Sequence, residues 1–190
     1  MHNNQPYSLT LVQKLTMMQN QWVVTRTDGT PIDIGVISQK RMSLKESVTC
    51  TTADGAAVLF RIQGRKVLEI GGTYDVFDGD GVAIGLITKD FKASLGRSTY
   101  AIETAAGRWT LTEASQVQAV MRRVMNLVSD IPWLMRMQFS LVNESGVQVG
   151  HVNRANMKIK DTYDIRVDDG RLDMRMAAAM GVAVDAFMNR

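Results

Sequence analysis

The chain has 190 residues, of which 45% are hydrophobic and 22% charged, and its formal net charge is +3. This length allows one domain or two small ones with a real core, and the composition excludes a disordered or fibrous protein. The slight basic excess permits contact with anionic lipids or nucleic acid without requiring it, while Cys50, the single cysteine, excludes an intrachain disulfide and a thiolate metal site.

The N-terminal residues 1–6 carry neither a basic segment nor an apolar run, so we expect a short tail and no signal peptide. No apolar stretch approaches the ~20 residues that a bilayer-spanning helix requires. A single unpaired cysteine favours a reducing compartment. We therefore expect a single domain over residues 7–190 in a cytoplasmic protein, with at most a peripheral contact at the inner face of the membrane.

Three segments of the sequence resemble one another and predict three β-hairpins. Each has an apolar run, a polar–glycine pair that favours the positive φ of a tight turn, and a second run with a late glycine. In a strand, such a glycine marks a bulge or a bend. The segments are residues 22–37, 74–87 and 139–152, with turn pairs Asp28-Gly29, Asp80-Gly81 and Ser145-Gly146 and late glycines Gly35, Gly85 and Gly150.

Each hairpin is followed by a basic residue and by a further run of β-branched and aromatic residues. These runs, at residues 47–51, 98–102 and 162–166, each end at another turn, and residues 11–14 open the chain in the style of residues 37–40. Short strands at this spacing predict a sandwich or a barrel. The irregular repeat argues against an open solenoid.

One amphipathic helix is predicted within this strand-rich pattern, at about residues 113–129. Its apolar residues recur at i, i+3, i+4 and i+7, which is the stripe of a helix with one buried face. Thr112 is placed to cap its first turn. Pro132 prevents the helix from continuing.

A second helix is predicted at the C-terminus, and its chemistry indicates the architecture. Residues 176–184 are apolar at every position, with Met176, Met180 and Val184 among them. A helix that is apolar all round must be surrounded, so the sheet is expected to enclose it. Asp185, close to its end, then needs a hydrogen-bonding partner on the surrounding wall.

The order of these features resembles the tubby C-terminal-like superfamily, and most closely its LURP-one-related and phospholipid-scramblase-like branch. The resemblance implies a mainly β fold: a closed antiparallel barrel of about twelve strands that encloses the hydrophobic C-terminal helix. The cysteine-rich and proline-rich segments of animal scramblases are missing, so it implies no scramblase activity. It rests on Gln39-Lys40 with Ser43, Tyr74–Val76 with Asp80-Gly81 and Ile84-Gly85, Arg97–Tyr100, Asp161–Ile165 and the closing Ala183–Asp185.

A search for catalytic chemistry gives no catalytic residue, no metal site and no cofactor site. His151 follows a bend glycine in a predicted strand, without a nucleophile-elbow sequence. Cys50 has no cationic sequence neighbour that would lower its pKa. The glycines at residues 79–85 continue into a strand and not into the helix of a dinucleotide fold, and the nearby acids lack calcium-loop spacing.

Basic residues follow the three hairpins at corresponding places, and they predict a band on the barrel that collects phosphate groups. The alternative interpretation is that they only keep exposed loops soluble. The candidate anion-binding residues are Lys40, Arg41, Lys45, Lys89, Lys92, Arg97, Arg154 and Lys158.

Two functions are compatible with these patterns. The first is a non-catalytic module that binds an anionic phospholipid headgroup or a protein partner through the basic surface. The alternative is a carrier that holds a small apolar ligand in or at the mouth of the barrel, lined by Met174, Met176 and Met180. Nucleic acid is not expected as a partner, because the basic band lacks aromatic stacking positions.

Overall fold

A computed structural model describes residues 5–15, 19–40, 47–65, 72–90, 98–114, 137–157 and 160–188. They form twelve strands followed by a helix. The first six strands are β1 (Tyr7–Leu15), β2 (Gln19–Arg26), β3 (Ile32–Lys40), β4 (Ser47–Thr51), β5 (Val58–Gly64) and β6 (Thr73–Asp78). The other elements are β7 (Ala83–Lys89), β8 (Thr99–Thr104), β9 (Gly107–Glu113), β10 (Met137–Asn143), β11 (Gln148–Met157), β12 (Lys160–Val167) and α1 (Met174–Met188).

The twelve strands form a closed barrel in which sequence neighbours pair antiparallel. β1 completes the closure by pairing with β12, from Tyr7 opposite Val167 to Val12 opposite Thr162. Alternate side chains face inwards, and the apolar ones form a single core around α1. The predicted closed antiparallel barrel with a C-terminal helix is therefore confirmed, and its closure pairs both edges of the sheet.

Three similar four-stranded units, beginning at β2, β6 and β10, make up the barrel, and β1 completes the third. Each unit opens with one of the predicted hairpins, and all three hairpins are confirmed. In each of them the register shifts beside the late glycine, and a similar shift occurs between β4 and β5. In a bulge, the extra residue breaks the strand's alternation and directs its side chain differently from its neighbours. These residues are Ile34, Leu59, Ile84 and Val149, and all four pack against the core.

The first hairpin turns in a different way from the other two. Gly81 and Gly146 adopt the predicted positive φ, with values of 87° and 79°, whereas Gly29 does not. The prediction for Gly29 is wrong because five residues, 27–31, join β2 to β3, while four residues join each of the other two hairpins. The longer connection reverses the chain without a left-handed residue.

The predicted amphipathic helix does not begin where expected. Thr112 and Glu113 belong to β9, where they pair with Ser140 and Phe139 of β10, so Thr112 is not a helix cap. The inward alternation of β9 continues through Glu113, which is buried, and a period of two therefore replaces the helical period at this point. Residues 115–129, which carry the rest of the prediction, lie outside the described residues.

α1 runs along the inside of the barrel, and its middle, residues 176–185, is buried on all sides. Every residue from 176 to 185 is buried, which confirms the predicted enclosed helix, and Met176, Met180 and Val184 are at most 1% exposed. The wall approaches so closely that a Cβ on Gly85 would lie 2.7 Å from the Cε of Met176. Within the described chain, no helix has the length and apolarity needed to cross a membrane.

Candidate functional site

Alternating strand direction divides the connections between the two ends of the barrel. The connections after β2, β4, β6, β8 and β10 lie at the end where α1 begins, which we call the helix-start end. The opposite end, the helix-finish end, contains Asp185 and the last residues of β1, β3, β5, β7, β9 and β11.

At the helix-start end, the described arginines are held by acidic or carbonyl oxygens of the same end. Further carboxylates, among them Asp54, Asp78 and Asp80, give this end an excess of negative charge. Five of its six described arginines are therefore neutralised by nearby carboxylates, and the sixth, Arg61, donates to a backbone carbonyl. The pairs are Arg26–Asp28, Arg61–Gly79 (carbonyl), Arg108–Glu103, Arg166–Asp168, Arg171–Asp169 and Arg175–Asp173.

Two of the predicted basic residues, Lys40 and Lys89, lie at the other end of the barrel. Lys40 is the last residue of β3, and its side chain is not among the described ones. Lys89 is the last residue of β7 and has a half-buried side chain. Both residues lie at the helix-finish end, because β3 and β7 run in the same direction. Their convergence with the remaining surface candidates stays a prediction. Arg41, Lys45, Lys92, Arg97 and Lys158 lie outside the described residues.

Arg154 faces inwards and joins a buried ionic cluster at the helix-finish end. Its Nη2 donates to Asp161 Oδ2 at 2.6 Å and lies 3.6 Å from Asp185 Oδ1. The Tyr163 hydroxyl donates to the same Asp185 oxygen at 2.5 Å, which confirms that Asp185 has a partner on the wall. Arg154 is 6% exposed, so its charge serves these two carboxylates and does not belong to a surface band.

The cluster keeps Arg154 and Tyr163 protonated. Burial alone would lower the pKa of Arg154, but the neighbouring Tyr163, Asp161 and Asp185 outweigh that effect and raise it. Burial raises the pKa of Tyr163, and the Asp185 carboxylate raises it further, so the hydroxyl remains a donor. The guanidinium also lies over the Tyr163 ring, 5.5 Å from its centroid. The cluster thus attaches the end of α1 to β11 and β12.

Raising the pH above 10 is expected to destabilise the protein through Tyr7 and Tyr163. The Tyr7 hydroxyl donates to the Leu172 carbonyl at 2.8 Å, and burial raises its pKa, as it does for Tyr163. Both side chains keep a proton that the unfolded chain releases. Their stabilisation is complete below the ordinary pKa of 10.0 and is lost as the pH rises towards the folded-state values.

The loss should amount to about 1.4 kcal/mol per pH unit for each tyrosine. Urea titrations between about pH 8 and about pH 11 measure it as a decline in the free energy of unfolding. Tyr163→Phe, which removes one of the two groups, should show a shallower decline. A slope equal to that of the wild type would contradict the assignment to Tyr163.

The described residues offer little to catalysis. They contain no group of three or more histidine, cysteine or acidic side chains placed to hold a metal ion. Cys50 is buried, and burial raises its pKa to about 12, so the thiol is a poor nucleophile near neutral pH. His151 lies in β11 opposite Ser140 and Arg166, neither of which supplies a carboxylate to orient the ring.

α1 occupies the axis of the barrel, so space for a ligand remains only between the helix and the wall or on the outer surface. Met176 and Met180 are buried between the helix and the wall, whereas Met174 borders a cavity of about 230 Å³ at the helix-start end. A larger surface groove of about 740 Å³ lies beside β7 and β8. Its charged lining includes the pairs Arg65–Asp75 and Arg175–Asp173.

The family model described as LURP-one-related matches residues 34–185, from the bulge of the first hairpin to the buried carboxylate of α1. The chain belongs to the LURP-one-related family. This family is part of the tubby-like superfamily and indicates a non-catalytic binding module. No curated protein and no solved structure matches the chain.

Two contacts of this LURP-one-related barrel were not predicted. Asp173 caps α1, since its Oδ1 accepts a hydrogen bond from the backbone N–H of Arg175 at 2.8 Å. An aspartate just before an apolar helix is a recognised cap signal and could have been found. The pair of Arg154 with Asp161 has no such signal, because the two residues meet through the pairing of β11 with β12.

Proposed function

We propose that this LURP-one-related protein docks on membranes through the helix-finish end of its barrel, which binds anionic phospholipid headgroups. α1 occupies the axis of the barrel, and burial makes the Cys50 thiol only weakly acidic, so this proposal concerns the outer surface. Anionic headgroups attract basic side chains held near the membrane, by about 1 kcal/mol for each residue. The end of the barrel that carries more basic side chains is therefore the one that should face the membrane.

The distribution of lysine along the chain is the observation that carries this proposal. All eight lysines of the sequence fall at the end of an odd-numbered strand, at the start of an even-numbered one, or between the two. Of these, Lys14, Lys40, Lys89 and Lys160 belong to strand segments at the helix-finish end, and we propose the same location for the other four, which lie outside the described residues. Among the described ones, Lys14 is exposed near the end of β1 and Lys89 ends β7. Lysine is absent from the described connections at the helix-start end.

The opposite end supports the same orientation. Its carboxylates outnumber its arginines, and ion pairs such as Arg26–Asp28 and Arg171–Asp169 neutralise the guanidinium groups. A charge asymmetry of this kind orients a protein before contact, because the acidic end is repelled from a negative surface while the basic end is attracted. Docking through the lysine-bearing end thus needs no conformational change in the barrel.

Co-sedimentation with vesicles tests the proposal. Vesicles of phosphatidylcholine doped with phosphatidylserine or a phosphoinositide should bind the protein at low salt and release it as the salt approaches physiological strength. Pure phosphatidylcholine vesicles should not bind it. The combined change Lys89→Glu, Lys92→Glu and Arg97→Glu should weaken binding at least about tenfold, because three attractive charges become repulsive.

A matched control separates location from net charge. Arg61→Glu, Arg108→Glu and Arg166→Glu reverse three exposed charges at the helix-start end and change the net charge by the same amount. This variant should bind anionic vesicles much as the wild type does, provided that circular dichroism shows both variants folded. Equal losses in the two variants would refute docking through one end. Absence of wild-type binding at low salt would reject these headgroups and leave a protein partner.

A further inference from the structure

The three units of the barrel carry equivalent side chains at equivalent inner positions, and the first unit has a smaller one. In the third strand of each unit, one inward residue lies opposite Ile37, Ile87 or Val152. Isoleucine has a larger side chain than cysteine, so the first unit leaves space that the other two fill. The equivalent residues are Cys50 in the first unit, Ile102 in the second and Ile165 in the third.

The space beside Cys50 is the cavity of about 230 Å³. It lies between the first unit and the first turns of α1, and Cys50 and Phe60 are among its fully buried lining residues. A Cβ on Gly35 would lie 3.1 Å from the Cys50 sulfur, so the absence of a side chain there keeps this region open. The remaining lining residues are Val24, Ile34, Leu59, Met174, Arg175 and Ala178.

Two bulge residues and the helix form the mouth of this cavity. Ile34 is the extra residue of β3 and Leu59 that of β5, and the first unit is the one with two such bulges. Both side chains, like Met174 at the start of α1, are partly exposed and pack against the core. A ligand can thus enter from the helix-start end when three flexible apolar side chains move apart.

The lining of the cavity disfavours a charged ligand. Seven of its eight residues are apolar or carry a thiol, and a charged group would lose its hydration among them without compensation. The guanidinium of Arg175 is already engaged, with Nη2 donating to Asp173 Oδ2 at 2.7 Å and Nε to Oδ1 at 3.0 Å. This ion pair leaves the mouth with no uncompensated positive charge to attract a carboxylate.

The geometry points to an uncharged, singly ringed aromatic molecule as the ligand of this cavity. An apolar protein cavity of roughly 150 Å³ holds benzene, so the larger volume found here suits a benzene ring with a short alkyl substituent. The sulfur atoms of Cys50 and Met174 favour an aromatic over an aliphatic ring, because thioether and thiol groups contact ring edges favourably. This site deepens the carrier alternative and does not rest on membrane docking.

Ethylbenzene is the probe that tests the inference, with benzoate as its charged counterpart. Binding to the folded state raises the melting temperature, so ethylbenzene should raise it in the wild type while benzoate should not. Cys50→Ile places in the cavity the side chain found in the other two units, and it should weaken ethylbenzene binding at least tenfold. Thr49→Ile adds bulk to the preceding, outward-facing residue of β4 and should bind like the wild type.

The outcomes are distinct. Wild-type affinity in Cys50→Ile, no response of the wild type at saturating ethylbenzene, or equal binding of benzoate would each overturn the inference. If Cys50→Ile does not fold, Cys50→Val provides the test, since its smaller addition should weaken binding by a smaller factor. Vesicle binding by Cys50→Ile should remain that of the wild type, because the cavity lies at the end away from the lysines. Failure of either proposal is therefore visible without the other.

Discussion

Replacing Arg154 by methionine is expected to lower the free energy of unfolding by about 3–5 kcal/mol, which is the usual cost of leaving buried charges without their partner. The guanidinium of Arg154 lies between Asp161, at 2.6 Å, and Asp185, at 3.6 Å, and the side chains of Arg154 and Asp185 are 7% and 5% exposed. Methionine retains much of the apolar volume but supplies no positive charge. The Asp161 and Asp185 carboxylates would then lose the cation between them, and the Tyr163 hydroxyl, which donates to Asp185, carries no charge to replace it.

Urea denaturation measures this effect, and two further variants identify its cause. Arg166→Met removes an arginine from the neighbouring strand whose ion pair with Asp168 is exposed, so it should cost less than about 1 kcal/mol. Adding Asp185→Asn to Arg154→Met should recover part of the loss, because one uncompensated charge disappears and the two residues are coupled. If the loss in the double variant equals the sum of the losses in the two single variants, the cluster is not electrostatically coupled.

The parts of the fold that were predictable are those in which one local pattern allows a single solution. An unbroken apolar run from Met176 to Val184 cannot lie on a surface, and the three similar hairpins predict a curved sheet that can enclose it. The twelve-stranded closure came from the resemblance to a family and is confirmed. Turn chemistry was less reliable, as Gly29 shows, because connection length as well as composition determines the turn type.

The candidate site was less predictable, because its properties depend on strand direction and register. Arg154 follows a hairpin like the other basic candidates, yet β11 directs it inwards to Asp161 and Asp185. The acidic excess of the helix-start end becomes visible only when alternating strand direction brings its described connections together. Similarly, Cys50 looked like an ordinary buried thiol until the register aligned it with Ile102 and Ile165.

The second large effect is expected from Gly150→Ala, which should lower the free energy of unfolding by about 3 kcal/mol. A Cβ at this position would overlap the backbone carbonyl oxygen of Arg166 in the neighbouring strand. That oxygen cannot rotate away as a flexible side chain would, so β12 itself would have to move, and overpacking of this kind is costly. The adjacent Val167 is fully buried and pairs with Tyr7 of β1, so the displacement would spread to the strand that closes the barrel.

The glycines of the other hairpins turn this prediction into a graded series. Gly35→Ala should also lower the free energy of unfolding, because its Cβ would lie 2.5 Å from the Thr51 carbonyl oxygen. Gly146→Ala has open space around its Cβ, so it should cost only the strain of alanine at φ 79°, about 1 kcal/mol. Gly29→Ala, with open space and no positive φ, should be neutral or slightly stabilising. Urea denaturation of the four variants would contradict the bulge interpretation if Gly29→Ala and Gly150→Ala were equally destabilised. The expected order follows from one physical difference: a bulge glycine makes room for a neighbouring backbone, while a turn glycine supplies only its own conformation.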